Sequence, residues 1–182
     1  MQIITYSELV EKPWKNGGGI TREIADCHEG GQLKWRLSMA DVASDGAFSD
    51  FSGLARVLTV IEGAGMDLIA PDRVLHAAYA VPVAFDGATP ITSRLIDGPL
   101  RDLNLMFAPT LCRGDVTALH GPQRARFPGA PGQTLALHCV AGPVRAGDVT
   151  LAQGDTALIH DAALQVTCDA GAIALLITLR AI

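Results

Sequence analysis

The sequence has little of what several large protein classes require. Of its 182 residues only 5% are aromatic and 18% charged, and lysine occurs just at Lys12, Lys15 and Lys34. The arginines are scattered, and the formal net charge is −5. A nucleic-acid binder needs clustered cations to neutralise phosphates, so no nucleic-acid partner is expected. No apolar run approaches the roughly 18 residues of a membrane helix. The opening MQIITYSELVEKPWKN has no basic stretch followed by an apolar one, so neither a membrane partner nor a secretory signal is expected. Cys27, Cys112, Cys139 and Cys168 form no C-x-x-C pair, which excludes a zinc knuckle or a thioredoxin-type redox site. Reduced, mostly buried thiols in a cytoplasmic protein are the expectation.

Catalytic signatures are missing too. Transition-metal sites lean on grouped His, Cys and carboxylates. His28, His76, His120, His138 and His160 stand far apart, so no metal and no cofactor are expected. There is no Gly-x-Ser-x-Gly elbow. Gly17-Gly18-Gly19 lacks the Lys-Ser/Thr of a phosphate loop.

What is present is a hydrophobic chain, 49% apolar, long enough for one domain or two small fused halves. Nineteen glycines and ten prolines interrupt it, and long helical periodicity is absent. Ser7 is positioned to cap one helical turn, which Pro13 limits. Thereafter the pattern is β. Trp35–Ala40 and Leu103–Phe107 alternate, while Val57–Ile61, Leu135–Val140 and Ala172–Leu179 are short apolar runs. Many short strands between turns predict a sandwich or barrel. Leu58–Gly63 matches the layout of Leu137–Gly142, each a strand closed by a glycine turn, which suggests an internal repeat. Val149–Ile159 is expected to form a hairpin about Gly154-Asp155, and the Gly-, Pro- and Arg-rich Gly114–Gly132 to connect the halves.

Period two places Arg36, Ser38 and Ala40 on one strand face, and Asp102, Asn104 and Met106 on one face of another. A guanidinium inside a barrel wants a carboxylate, from the protein or a ligand; on an edge strand it would face solvent. Asn is depleted in strand interiors, so Asn104 needs a hydrogen-bonding reason, structural or ligand-related. Trp14 and Asn16 flank the glycines of 17–19, pairing an aromatic wall with an amide beside a flexible backbone; a plain turn after Pro13 fits as well. Phe48 and Phe51 lie in a turn-rich loop that either covers a barrel mouth or tucks onto the core.

Together these segments resemble one family. Pro-Trp-Lys-Asn-Gly-Gly-Gly-x-Thr-Arg-Glu-Ile at 13–24, Trp-Arg-x-Ser at 35–38, Phe-Ser-x-Phe-x-Gly at 48–53 and Asp-x-Asn-x-Met at 102–106 look like the HutD/Ves family. The resemblance implies an all-β bicupin, two fused jelly-roll (RmlC-like cupin) β-barrels, here divided as 1–113 and 114–182. It puts no catalytic metal in the first barrel. HutD members are linked to bacterial histidine utilisation, with N-formylglutamate or urocanate as suggested ligands. Ser52-Gly53 stands where the family commonly has Pro-Gly, which leaves the branch open.

Three functional readings follow. In the first, the N-terminal barrel binds a small carboxylate metabolite without catalysis. Arg36 holds the carboxylate, Asn16, Ser38 and Asn104 fix a second polar end, and Trp14, Phe48, Phe51 and Met106 form the apolar wall. Gly17, Gly18, Thr21 and Glu23 shape the glycine loop, and Arg22 points the other way. In the second, the same pocket is a metal-independent isomerase or hydrolase with Glu23, Asp102 or His76 as general base. A buried carboxylate of raised pKa would mark that reading, and carboxylates all paired to Arg or backbone would mark pure binding. The third is a protein-interaction role, marked by a large exposed apolar patch. A homodimer is expected only from the frequency of such assemblies.

Overall fold

Turn chemistry and strand alternation act from the first residues. Strand β1 (Gln2–Ile4) leads into a 3₁₀ turn, Tyr6–Glu8. The capping residue is Thr5 rather than Ser7: Glu8 Oε2 accepts from Thr5 N at 3.2 Å and from Thr5 Oγ1 at 2.8 Å. The computed structural model describes residues 1–15 and 17–182. Strands β2 (Glu11–Pro13), β3 (Gly19–Glu29), β4 (Gln32–Val42), β5 (Gly46–Ala47), β6 (Ala55–Glu62), β7 (Met66–Ile69), β8 (Val74–Ala77), β9 (Val83–Asp86), β10 (Thr92–Leu95) and β11 (Leu100–Phe107) come next. Then follow β12 (Cys112–His120), β13 (Gln123–Phe127), β14 (Gln133–Ala141), β15 (Val144–Ala146), β16 (Val149–Leu151), β17 (Thr156–His160), β18 (Leu164–Cys168) and β19 (Ile173–Ala181).

The chain divides into two compact units, Val10–Leu111 and a second that joins Met1–Leu9 to Cys112–Ile182. Residues 1–9, grouped with the N-terminal half in the sequence reading, pair through β1 with β17. Each unit is an open jelly roll of two antiparallel sheets. In the first, the orders are β2-β3-β4-β11-β6-β9 and β5-β10-β7-β8. In the second they are β1-β17-β14-β19-β12 and β13-β18-β15-β16.

Strip β1, β2 and β3 away and the two orders coincide: β4-β11-β6-β9 corresponds to β12-β19-β14-β17, and β5-β10-β7-β8 to β13-β18-β15-β16. The matched segments of the sequence repeat lie on equivalent strands, β6 and β14. Both carry the same irregularity: the register skips Ile61 where β6 meets β11, and Val140 where β14 meets β19. Both strands end on a left-handed glycine, Gly63 (φ 98°) and Gly142 (φ 69°).

Two local expectations fail. Val149–Ile159 is not a hairpin, because β16 pairs with β15 while β17 pairs with β14 and β1. The tight turn is at Gly147-Asp148, and Gly154-Asp155 carries the chain from one sheet to the other, held by Tyr6 N donating to Asp155 Oδ1 at 2.9 Å. Gly114–Gly132 is no connector either: it contributes most of β12 and all of β13.

On one face of the larger sheet in the first unit, a row of charges crosses five strands. Arg22 donates to Glu11 at 2.5 Å and to Asp41 at 2.6 Å; Arg101 donates to the other Asp41 oxygen at 2.5 Å and to Glu62 at 3.1 Å. Burial alone would raise the Asp41 pKa, but the hydrogen bonds and charges of Arg101 and Arg22 outweigh it and hold the carboxyl below its ordinary value. A lowered folded pKa stabilises at neutral pH, and that contribution is lost as pH falls through the folded value. Asp41→Asn is therefore expected to cost about 1–3 kcal/mol in urea unfolding at pH 7, with the deficit shrinking in acid; an unchanged midpoint would show the row contributes nothing.

Candidate functional site

The opposite face of that sheet builds the site. Cross-strand partners in an antiparallel sheet point to the same side, so the register sets out three rows. The first runs Lys12, Thr21, Ala40, Asp102, Val60; the second Glu23, Ser38, Asn104, Leu58; the third Arg36, Met106, Arg56, Phe85. Alternation alone puts polar side chains at the centre of a sheet whose surroundings are apolar.

Apart from Val60, Leu58 and Phe85, the residues of these rows line a cavity of about 560 Å³, within the range typical of small-molecule sites. Of the residues named from sequence, Trp14, Thr21, Glu23, Arg36, Ser38, Phe48, Phe51, Asn104 and Met106 all lie on its wall. Asn16 falls outside the described residues. Gly17 and Gly18 sit in the turn behind Trp14 rather than on the wall. Gly19, which follows them, is the glycine with a steric reason: a Cβ there would stand 2.4 Å from Asp41 O and 2.9 Å from the Trp14 ring. The indole thus packs directly on bare backbone, and its Nε1 donates to Thr21 Oγ1 at 2.7 Å. Glu23 lies 3.7 Å from Lys12.

The residue that sequence reasoning missed is Arg56. It is only 4% exposed, and its guanidinium carbon stands 5.0, 5.2 and 4.9 Å from the ring centroids of Phe48, Phe51 and Phe85. Arg36 shares Phe51, at 5.4 Å, and donates to Met106 Sδ at 3.5 Å. The aromatic loop therefore both walls the cavity and cages a cation. Its backbone is tied down by Phe48 N to Ile91 O and Phe51 N to Gly87 O. Lys12, Lys15, Ser49 and Asp102 complete the polar lining.

Among the described residues, neither Arg36 nor Arg56 has a carboxylate within salt-bridge distance, and the Nε of each is buried without a hydrogen-bond partner. Asp102 Oδ1 and Asn104 Oδ1 are likewise buried and unpartnered. Burial pushes the Asp102 carboxyl up to about 7; the positive charge of Arg56 pulls against this, and Asp41 adds to it. Burial likewise lowers Arg56 to about 10, with Asp102 opposing and Arg36 reinforcing the shift, so Arg56 stays charged at neutral pH. Asp102 thus fits the description of a buried carboxylate of raised pKa. His76, named as an alternative base, lies elsewhere: its side chain is 76% exposed and pairs with Asp67 at 2.6 Å.

The second unit holds apolar residues at the equivalent positions. Its counterparts of Arg56, Asp102 and Asn104, read from strand order and register, are Leu135, Ala174 and Leu176, all part of its apolar core. That comparison is the signal that would have found Arg56: a charge in one copy of the repeat where the other has Leu. Replacing a buried ionic group by well-packed apolar residues is often neutral or stabilising. The double variant Arg56→Leu/Asp102→Ala copies the second unit. It is expected to match the parent or exceed it by about 1–4 kcal/mol in urea unfolding, whereas a loss of stability would mean the charged cluster supports the fold.

Among the described residues no group of three or more His, Cys, Asp or Glu is placed to hold a metal ion, and no helix is long and apolar enough to cross a membrane. The HutD family model matches residues 6–176. A 21.2 kDa protein of Pseudomonas putida, described by its place in the hutC 3′ region, is 39% identical over 129 residues, 68% of this chain and 67% of the relative. The protein Ves of Escherichia fergusonii is 35% identical over 118 residues, 61% of each chain. The structure of HutD from Pseudomonas fluorescens, described for a formate condition, superposes with a TM-score of 0.88 at 33% identity, covering 100% of this chain and 98% of the other. The nickel(II) complex of the Escherichia coli pirin YhhW, 12% identical with a TM-score of 0.71 and covering 100% of this chain and 99% of that one, shares the fold alone.

Proposed function

The chain belongs to the HutD family, and from that premise we propose that it is a small-molecule-binding bicupin whose N-terminal barrel takes a small carboxylate. The observation that carries this reading is the pair of guanidinium groups lining one cavity with, among the described residues, no carboxylate at salt-bridge distance. A charge-assisted pair with a ligand carboxylate supplies what Arg36 and Arg56 lack. Asn104 and Ser38 then meet a second polar end, and Trp14, Phe48, Phe51 and Met106 enclose the rest. The family link, together with the hutC-region relative, favours an intermediate of histidine breakdown, such as N-formylglutamate or urocanate, as the ligand. In this reading the protein senses that intermediate in the cytoplasm and modulates the pathway.

One observation favours a second reading. Asp102, buried and raised to about 7, is suited to proton transfer, so a metal-independent isomerase or hydrolase has a base available. Glu23 is the other carboxylate on the wall, and it is paired with Lys12.

A thermal-shift series with formate, acetate, glutamate, urocanate and N-formylglutamate separates these readings. At 100 times its Kd a ligand adds about 2.7 kcal/mol, and the shift should rise with concentration and vanish in Arg36→Ala. Proton NMR of the same mixtures should show the acids unchanged after hours. Turnover would establish the enzyme, and no shift with any acid would remove the carboxylate reading.

A further inference from the structure

Carboxylate binding leaves Asp102 to be accounted for, because a site that attracts anions gains nothing electrostatically from a carboxylate on its own wall. Asp102 is 2% exposed, lines the cavity, and has one oxygen without a partner. Charged groups face it from every side. Arg56 comes from β6 and Arg36 from β4. Glu23 on β3 is paired with Lys12 of β2, and Lys15 lies in the turn that follows. Asp41 acts from the far face of β4, and Arg101 of β11 is committed to Asp41 and Glu62 on that far face. The cation that acts on Asp102 is therefore Arg56, one of the two that a bound acid would use.

Asp102 already lies buried beside Arg56, so a second carboxylate brought against that guanidinium raises the cost of keeping both ionised, and carboxylates crowded together in proteins relieve that cost by taking up a proton. We propose, building on the carboxylate reading, that Asp102 is itself a contact for the bound acid: as the acid enters, Asp102 takes one proton from solvent and donates the resulting O–H to an oxygen of the acid. The acid stays ionised against Arg36 and Arg56, and the proton sits between two oxygens. Among the described residues none donates to Asp102 Oδ1, whereas the acid gives the carboxyl a partner. Because burial has already brought Asp102 to about 7, the uptake is inexpensive at neutral pH.

Protonation that accompanies binding makes binding weaken as pH rises above the free-state value. The affinity for acetate is expected to fall on the order of tenfold between pH 7 and pH 8.5. The test is titration calorimetry of the full chain with acetate at pH 8, in two carboxylate-free buffers of different ionisation enthalpy, for the parent and for Asp102→Asn. The parent should give buffer-dependent heats that report proton uptake. The variant should bind acetate with heats and affinity that no longer depend on buffer or pH. Equal heats in both buffers, with a flat affinity profile, would overturn the proposal and leave the carboxylate reading standing. No acetate binding at any pH would remove both. Should Asp102→Asn fail to fold, infrared difference spectra of the parent with ¹³C-acetate decide: a new protonated-carboxyl band from the protein supports the proposal, and its absence overturns it.

Discussion

Everything about this site follows from the burial of one guanidinium. Removing a charged group from water is costly unless charge, hydrogen bonds or polarisable faces replace the hydration. Arg56 has three phenylalanine rings around it and the carboxylate of Asp102 nearby, but no direct ion pair. The rings compensate in part, since a cation–π contact of a desolvated group is worth about 2 kcal/mol or more against a larger desolvation cost. What is left uncompensated is what a ligand can supply. The loop of Phe48 and Phe51 is held where it is because the cage needs it. Asp102 is perturbed because the same cavity buries it, and Arg56 offsets only part of that shift. The empty volume persists because packed side chains cannot satisfy these groups.

The two jelly rolls turn this into an internal control. Same strand order, same skipped residue, same terminal glycine, and yet the positions that carry charge in one carry leucine and alanine in the other. The fold does not call for Arg56, Asp102 and Asn104, since Leu135, Ala174 and Leu176 serve the same positions. Residues that the architecture can do without, yet which one copy buries at a cost, are the ones the proposed binding role accounts for.

Much of the fold was legible because alternation is a local signal. Arg36–Ser38 and Asp102–Asn104 could be placed on shared faces from period two alone, and register then made them neighbours. Arg56 was hidden for the same reason: one charge at the head of the apolar run 57–61 looks like a strand end facing water. The supposed hairpin at 149–159 failed because segments near in sequence belong to different sheets, a fact fixed by long-range pairing. Gly114–Gly132 looked like a linker because small residues at Gly114 and Ala118 weakened the alternation that runs Cys112, Gly114, Val116, Ala118. The ion row through Arg22, Asp41 and Arg101 could not be read at all, since it joins residues that only the register brings together.

The pairing of β1 with β17 has a consequence for how the chain comes off the ribosome. Gln2–Ile4 leaves the ribosome well before its partner Thr156–His160. The first strand therefore waits, unpaired, while the whole of Val10–Leu111 is synthesised and free to fold. Contacts so distant in sequence form slowly, and until this one closes β17 presents a bare edge of the kind that recruits other chains. Met1–Leu9 thus fits onto its unit late, as a latch does, and bulk attached beside β1 would burden that closure more than bulk attached beside β19.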